Sequence, residues 1–235
     1  MVPHLVTALT GPINELEARI LESMPAIERW FRLEWMEHTP PFYTAVDLRN
    51  AGFKLAPVDT NLFPGGFHNL TEDMLPLAVQ AAMAAIEKIC PEARNLLIVP
   101  RPGMTDPFYH GMPAVLQNIH EQYLLPPPHA GWTVRRKSKH FQSYEEVAKK
   151  FAKLLGMDPW LINPLMGHCG EVDLTQSSGL DCVQATVDAV LTKVRRKYKE
   201  FGIGEKPFVV VKADNARSGA GYMTVRDARD VPERA

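Results

Sequence analysis

The sequence predicts an α/β fold in which a mixed or parallel sheet is flanked by helices. Three observations lead there. Apolar residues recur at helical spacing along several stretches, short β-branched runs fall between those stretches, and 46% hydrophobic content over 235 residues is ample for a buried core.

Each element follows from its local pattern. Ile13, Leu16, Ile20 and Met24 fall on one face of a first helix. Ile27, Trp30 and Phe31 open a second, which should end before Pro40 and Pro41. YTAVDL, residues 43–48, reads as a strand, and residues 51–67 as a loop punctuated by Gly65 and Gly66. An alanine-rich helix is expected over about 72–89, with capping-box spacing at Asn69 and Glu72 and its regular part starting near Pro76. NLLIVPR, 95–101, reads as a buried strand. A helix with Met112, Val115, Ile119 and Tyr123 inward follows and stops at the prolines of 126–128.

GWTVRRK reads as a further strand. Ser143 and Glu146 are placed to cap a helix with Val147, Phe151 and Leu154 inward. WLINPL reads as a short strand or extended segment. Val183, Val187, Val190, Val194 and Tyr198 line a long helix closing at Gly202, PFVVVKA is a strongly β-branched strand, and YMTV, 222–225, is positioned to return beside it. A domain boundary is expected near 202–206, giving an α/β domain over 1–203 and the start of a second over 204–235.

Composition narrows the function. A net charge of −1, from 26 basic and 27 acidic residues, supplies no field for nucleic acid or an anionic membrane. The basic run at 135–139 suits a solvated loop or strand end. No apolar run approaches the ~20 residues that span a bilayer, and the first residues lack the pattern of a signal peptide. Cys90, Cys169 and Cys182 are too few, and odd in number, for a disulfide framework, which fits a reducing cytoplasm.

Two groups of residues carry chemistry. In VDLRNAGFKLAPVDTNLF, Asp47 and Arg49 share one face of a strand, and Lys54, Asp59 and Asn61 follow. An α-amino acid needs a carboxylate clamp, which a guanidinium provides with two parallel hydrogen bonds, and an acceptor for its ammonium. Arg49 with Asp47 or Asp59 meets both needs, and Asn61 can orient the rest. An internal ion pair with turn-forming Asp and Asn explains the same residues.

In VVVKADNARSGAGYMTV, Lys212 ends a strand and a loop with Gly219 and Gly221 leads to the next. Glycines let backbone N–H groups approach phosphate oxygens, and the lysine adds a compact positive charge. An ordinary hairpin has the same outline. The order is neither that of a Walker A loop nor that of a dinucleotide fingerprint. His168, Cys169 and Cys182 match no zinc-ligand spacing and read as structural. Asp106, Tyr109 and His110 follow a strand but read as a loop cap. No G-x-S-x-G elbow is present.

Taken together, YTAVDLRNAGFKLAPVDTNLFPGGFHNL, INPLMGHCGEVDL and PFVVVKADNARSGAGYMTVRDARDV resemble blocks, in the same order, of the proteobacterial glutamate–cysteine ligases of acidophilic iron oxidisers. The resemblance spans nearly the whole chain. It implies an ATP-grasp-like architecture in which a substrate-facing α/β domain (1–203) precedes lobes that clamp ATP, the first of them beginning at 204–235. It implies ATP-driven joining of glutamate to cysteine through an acyl phosphate, a step of glutathione biosynthesis, helped by Mg²⁺. By that resemblance Lys212, Gly219 and Gly221 face ATP, while Asp47, Arg49, Lys54, Asp59 and Asn61 face the amino acid.

The chain departs from the family in its DNARSGAG loop, in RPGMTDPFY and in VDLTQSSGLDC. It is expected to stop before the lobe carrying the Mg²⁺ carboxylates, so little ligase activity is expected of it alone. The alternative is a non-catalytic amino-acid-binding or regulatory module that keeps the fold. A nicotinamide-dependent enzyme has only the glycine pair behind it.

Overall fold

The computed structural model describes residues 12–62, 70–95, 136–173, 178–215 and 222–231. The expected strand at 95–101, the helix through Met112–Tyr123, the Asn69 cap, and Asp106, Tyr109, His110, Gly65 and Gly66 lie outside the described elements. Among the described residues, helices and two small sheets give a mixed α/β chain, as expected.

The chain divides into two compact units. The first comprises Met1–Arg19, Asn50–Ala56 and Arg136–Ala235, and the second Ile20–Arg49 and Pro57–Arg135. The boundary expected at 202–206 lies inside the first unit.

In the second unit, α2 (Met24–Glu37) buries Ile27 and carries Trp30, Phe31 and Trp35 as neighbouring rings, with centroids 5.0 and 5.4 Å apart. It opens with Pro25 in its first turn, where the missing N–H has no partner to lose, and it ends before Pro40. A 3₁₀ turn, Glu72–Met74, leads into α3 (Leu75–Ile89), which has Pro76 in its first turn, as the sequence indicated.

β1 (Ala45–Asn50) pairs with β2 (Leu55–Asn61). Residues 51–54 join them, a connection suited to a hairpin and too short for a parallel crossover. β2 corrects the expectation of a loop over 51–67. Pro57, Asp59 and Asn61 lower its intrinsic strand preference, but in a two-stranded ribbon every position is at an edge, where a proline is tolerated. The turn itself is well specified: Gly52 has φ 79°, its N–H donates to Asn50 Oδ1 at 2.8 Å, and Ala51 N–H donates to the Lys54 carbonyl at 3.0 Å.

Among the described residues, the first unit is built on three helices. Ile13 and Leu16 of α1 (Pro12–Glu22) are buried, and Arg19 donates to the Gly156 carbonyl at 2.8 Å. α4 (Lys137–Leu154) starts earlier than expected, so Ser143 is an interior residue that donates back to the Lys139 carbonyl instead of capping. Lys137 thus opens this helix and does not close a strand. The buried face is displaced by one position: Ala148 and Ala152 are buried, with Leu155 just beyond, while Val147 is 44% and Leu154 40% exposed. α5 (Leu180–Glu200) matches its reading, with Val183, Val187, Val190 and Leu191 buried and Gly202 just past its end at φ 65°.

β3 (Val209–Lys212) and β4 (Tyr222–Val225) pair antiparallel, Val209 opposite Val225 and Lys212 opposite Tyr222. They pack on α5: Val183, Val187, Leu191, Val225 and Val231 form one cluster, with Val209, Val211 and Met223 against it. Leu191, Val225 and Val231 are fully enclosed. Residues on both sides of 202–206 therefore share a core. Cys90, Cys169 and Cys182 are free thiols. Among the described residues, no helix is long and apolar enough to cross a membrane.

Candidate functional site

Lys212 stands at the exposed end of β3, where the chain leaves the sheet to return through β4. Gly219 and Gly221 fall in the connection outside the described residues. The root of that connection is described, and Asp214 anchors it. The Asp214 carbonyl accepts from Lys137 N–H at 3.1 Å, and its carboxylate accepts from the Ser138 N–H at 2.7 Å and from the Ser138 hydroxyl at 2.9 Å. Burial opposes its charge. The two Ser138 bonds and the positive fields of His168 and Arg136 outweigh that and hold the carboxyl below the usual carboxylate range.

Asp47 and Arg49 occupy alternate positions of β1 and are exposed, so they face one side of the ribbon. Asp59 is half-buried in β2 and accepts from the Thr60 N–H at 2.9 Å, and Asn61 ends that strand. These four belong to the second unit, whereas Lys54 and Lys212 belong to the first.

Lys54 lies in an aromatic nest. Its Nζ donates to the Asn163 carbonyl at 2.8 Å and sits 4.5 Å from the Trp160 ring centre. Phe53 stacks on Trp160 with centroids 5.9 Å apart and planes 6° from parallel, Phe201 lies 5.0 Å away, and Tyr198 closes the group. Burial pushes the Lys54 ammonium down to about 8, against the pull of the Asp158 carboxylate. Asp158 itself binds Lys197 at 2.5 Å and caps the 3₁₀ turn Pro159–Leu161 through the Trp160 N–H. Burial works against the Asp158 charge, but Lys197, that N–H and Lys54 together keep the carboxyl ionised below its ordinary range.

The full chain superposes with TM-score 0.81 and 42% sequence identity on a crystal structure at 1.90 Å, of a protein from Methylobacillus flagellatus KT provisionally named gamma-glutamylcysteine synthetase. The match covers 100% of this chain and 72% of that one. The family model for glutamate-cysteine ligase (GshA) matches residues 17–110 and 104–234. The chain belongs to the glutamate–cysteine ligase family. No curated protein matches it significantly in sequence.

Among the described residues, this member of the ligase family has no group of three or more His, Cys, Asp or Glu side chains gathered to hold a metal ion. No magnesium ligand is therefore assigned. Asp158, Trp160, Asn163, Ser138 and Asp214 are the structurally important residues that sequence reasoning passed over. Asp158 carried a usable signal, an Asp directly before a proline that opens a turn. Asp214 carried none, because the partner of its carboxylate, Ser138, lies 76 positions away.

The Lys54 nest makes a testable statement about pH. Its folded value, about 8, lies below the 10.5 of a free lysine. Well below pH 8 the ammonium is charged in both states, and the fold bears the desolvation. Between about 8 and 10.5 the folded chain releases the proton while the unfolded chain keeps it, so stability rises with pH. Urea unfolding of wild type and Lys54→Met at pH 7.5 and 10 should show the difference between them moving by about 2 kcal/mol in favour of the wild type. A difference that stays constant across that range would show that Lys54 keeps an ordinary value.

Proposed function

We propose that this chain takes part in the ATP-driven joining of glutamate to cysteine, in the cytoplasm, with the β3–β4 hairpin serving ATP and the β1–β2 ribbon serving the amino acid. What carries the reading is the lysine-ended β3 pairing with β4 across a glycine-bearing connection, in a chain of this family. In this reading Lys212 neutralises phosphate charge, and Gly219 and Gly221 let backbone N–H groups approach the phosphate oxygens.

Arg49 grips the α-carboxylate of glutamate and Asp47 or Asp59 receives its ammonium, with Asn61 orienting the rest. Lys54, held by Asn163 and Trp160, contributes by bracing the ribbon's turn. The side-chain carboxylate of glutamate then attacks the terminal phosphorus, ADP departs, and the cysteine amine displaces phosphate from the acyl phosphate to form the amide. The protein's part is positioning and charge neutralisation. Magnesium, when bound, would add further neutralisation of the phosphates.

A phosphate-release assay with ATP, Mg²⁺, glutamate and cysteine tests this directly. Release that requires both amino acids, at a low rate, is expected. Calorimetric binding of glutamate and ATP without release would favour the non-catalytic binding module instead, and binding of neither would end both readings.

A further inference from the structure

Cys182 and Thr186 stand one turn apart on α5 and share a face of that helix. Cys169 meets both of them. Its Sγ lies 3.2 Å from the Thr186 Oγ1, and its thiol shares a hydrogen bond with the Cys182 thiol. The segment that carries Cys169 is fixed against the helix. Gly167 lies so close that a Cβ there would collide with the Thr186 methyl. Asp173 and Ser178 exchange both backbone hydrogen bonds, at 3.0 and 2.9 Å. Cys169 and Val172 pack on the cluster that holds Val183 and Val187.

The two thiols differ in access: Cys182 is exposed and Cys169 is half-buried. Burial, and then the hydrogen bond with the Cys182 thiol, raise the Cys169 thiol above its ordinary value. Cys169 is therefore a poor first nucleophile toward an outside reagent.

We propose that Cys169 and Cys182 form a reversible redox modification site, in which Cys182 takes up a small disulfide from solution and Cys169 converts it to an internal cross-link. The Cys182 thiolate attacks one sulfur of the small disulfide, that S–S bond breaks, and one small thiolate leaves and takes the Cys182 proton. The Cys169 thiol then gives up its proton and attacks the Cys182 sulfur. The second small thiolate is expelled and takes that proton. The protein dithiol loses two electrons, and the small disulfide is reduced to two thiols. Excess small thiol runs both steps backwards, so under a reducing poise the pair stays open. Neither cysteine belongs to the hairpin or the ribbon assigned to ligands, so the site stands apart from the ATP reading.

The test is incubation of the full-length wild type, Cys169→Ser and Cys182→Ser with glutathione disulfide, then acid quenching, mass spectrometry and peptide mapping. The wild type should become lighter by two hydrogens and give a peptide pair joined through Cys169 and Cys182. Cys169→Ser should stop at a mixed disulfide on Cys182. Cys182→Ser should react at Cys169 at least about tenfold more slowly than Cys169→Ser reacts at Cys182. Repeating the wild-type reaction in urea measures what the fold contributes. The ratio of internal to mixed disulfide should be at least about tenfold higher in the native protein, because the fold holds the two thiols together.

A stable mixed disulfide on Cys182 in the wild type overturns the proposal, as does a ratio that urea leaves unchanged or a cross-link through Cys90 instead. Equal rates at Cys169 and Cys182 overturn the order of the two steps. The cross-link and the urea ratio are read on the wild type alone, so they decide even if a serine variant does not fold.

Discussion

Trp160→Ala should destabilise the protein by about 3–5 kcal/mol, the range for deleting a large buried aromatic side chain. Trp160 is only 4% exposed and is ringed by Phe53, Tyr198 and Phe201. Aromatic pairs of this kind each add about 0.5–1.5 kcal/mol beyond area burial, and they are not independent, so the sum is capped by the whole cavity. Truncation also strips Lys54 of the ring face that receives its charge and leaves a half-buried ammonium on one carbonyl. Trp160→Phe keeps a ring opposite Phe53 and should lose much less. Urea unfolding at pH 7 gives both numbers; a loss below about 1 kcal/mol for the alanine variant would mean that the nest is not a packed unit.

Lys212→Ala should weaken ATP binding by at least about tenfold while leaving stability within about 0.5 kcal/mol. The side chain is at the exposed end of β3, so its removal opens no cavity. Its charge, by contrast, is the one the ATP reading relies on, and a cation lost from a phosphate site costs about 1.4 kcal/mol per decade of affinity. Lys212→Arg retains the charge and should retain most of the binding. Raising the salt concentration should narrow the gap between wild type and Lys212→Ala, because an exposed charge is screened. Equal ATP affinity in the two proteins at low salt would remove Lys212 from the site.

Much of this was legible locally. α5 was read almost residue for residue because Val183, Val187 and Val190 repeat at helical spacing with polar residues between them. β3 and β4 were read from β-branched runs on either side of a glycine-bearing segment. α4 was read with the wrong buried face. The apparent cap at Ser143 and Glu146 set the register, whereas the bond that starts the helix comes from Asp214, beyond the range of any local pattern. Burying small Ala148 and Ala152 instead of Val147 is a tertiary choice that apolar spacing does not reveal.

The candidate site divides in the same way. Asp47 and Arg49 share one strand face as period two requires. Lys54 lies in the same local block, but its anchoring by Asn163 depends on a contact between residues 109 apart, which no local pattern reveals.

Val183, Val187 and Leu191 of α5 share one buried cluster with Val225 and Val231. Recombination that exchanged the C-terminal hairpin between related genes would bring in foreign β-strand side chains against an unchanged helix. Crossovers upstream of residue 180, which move helix and hairpin together, should therefore yield folded chimaeras far more often than crossovers near residue 204.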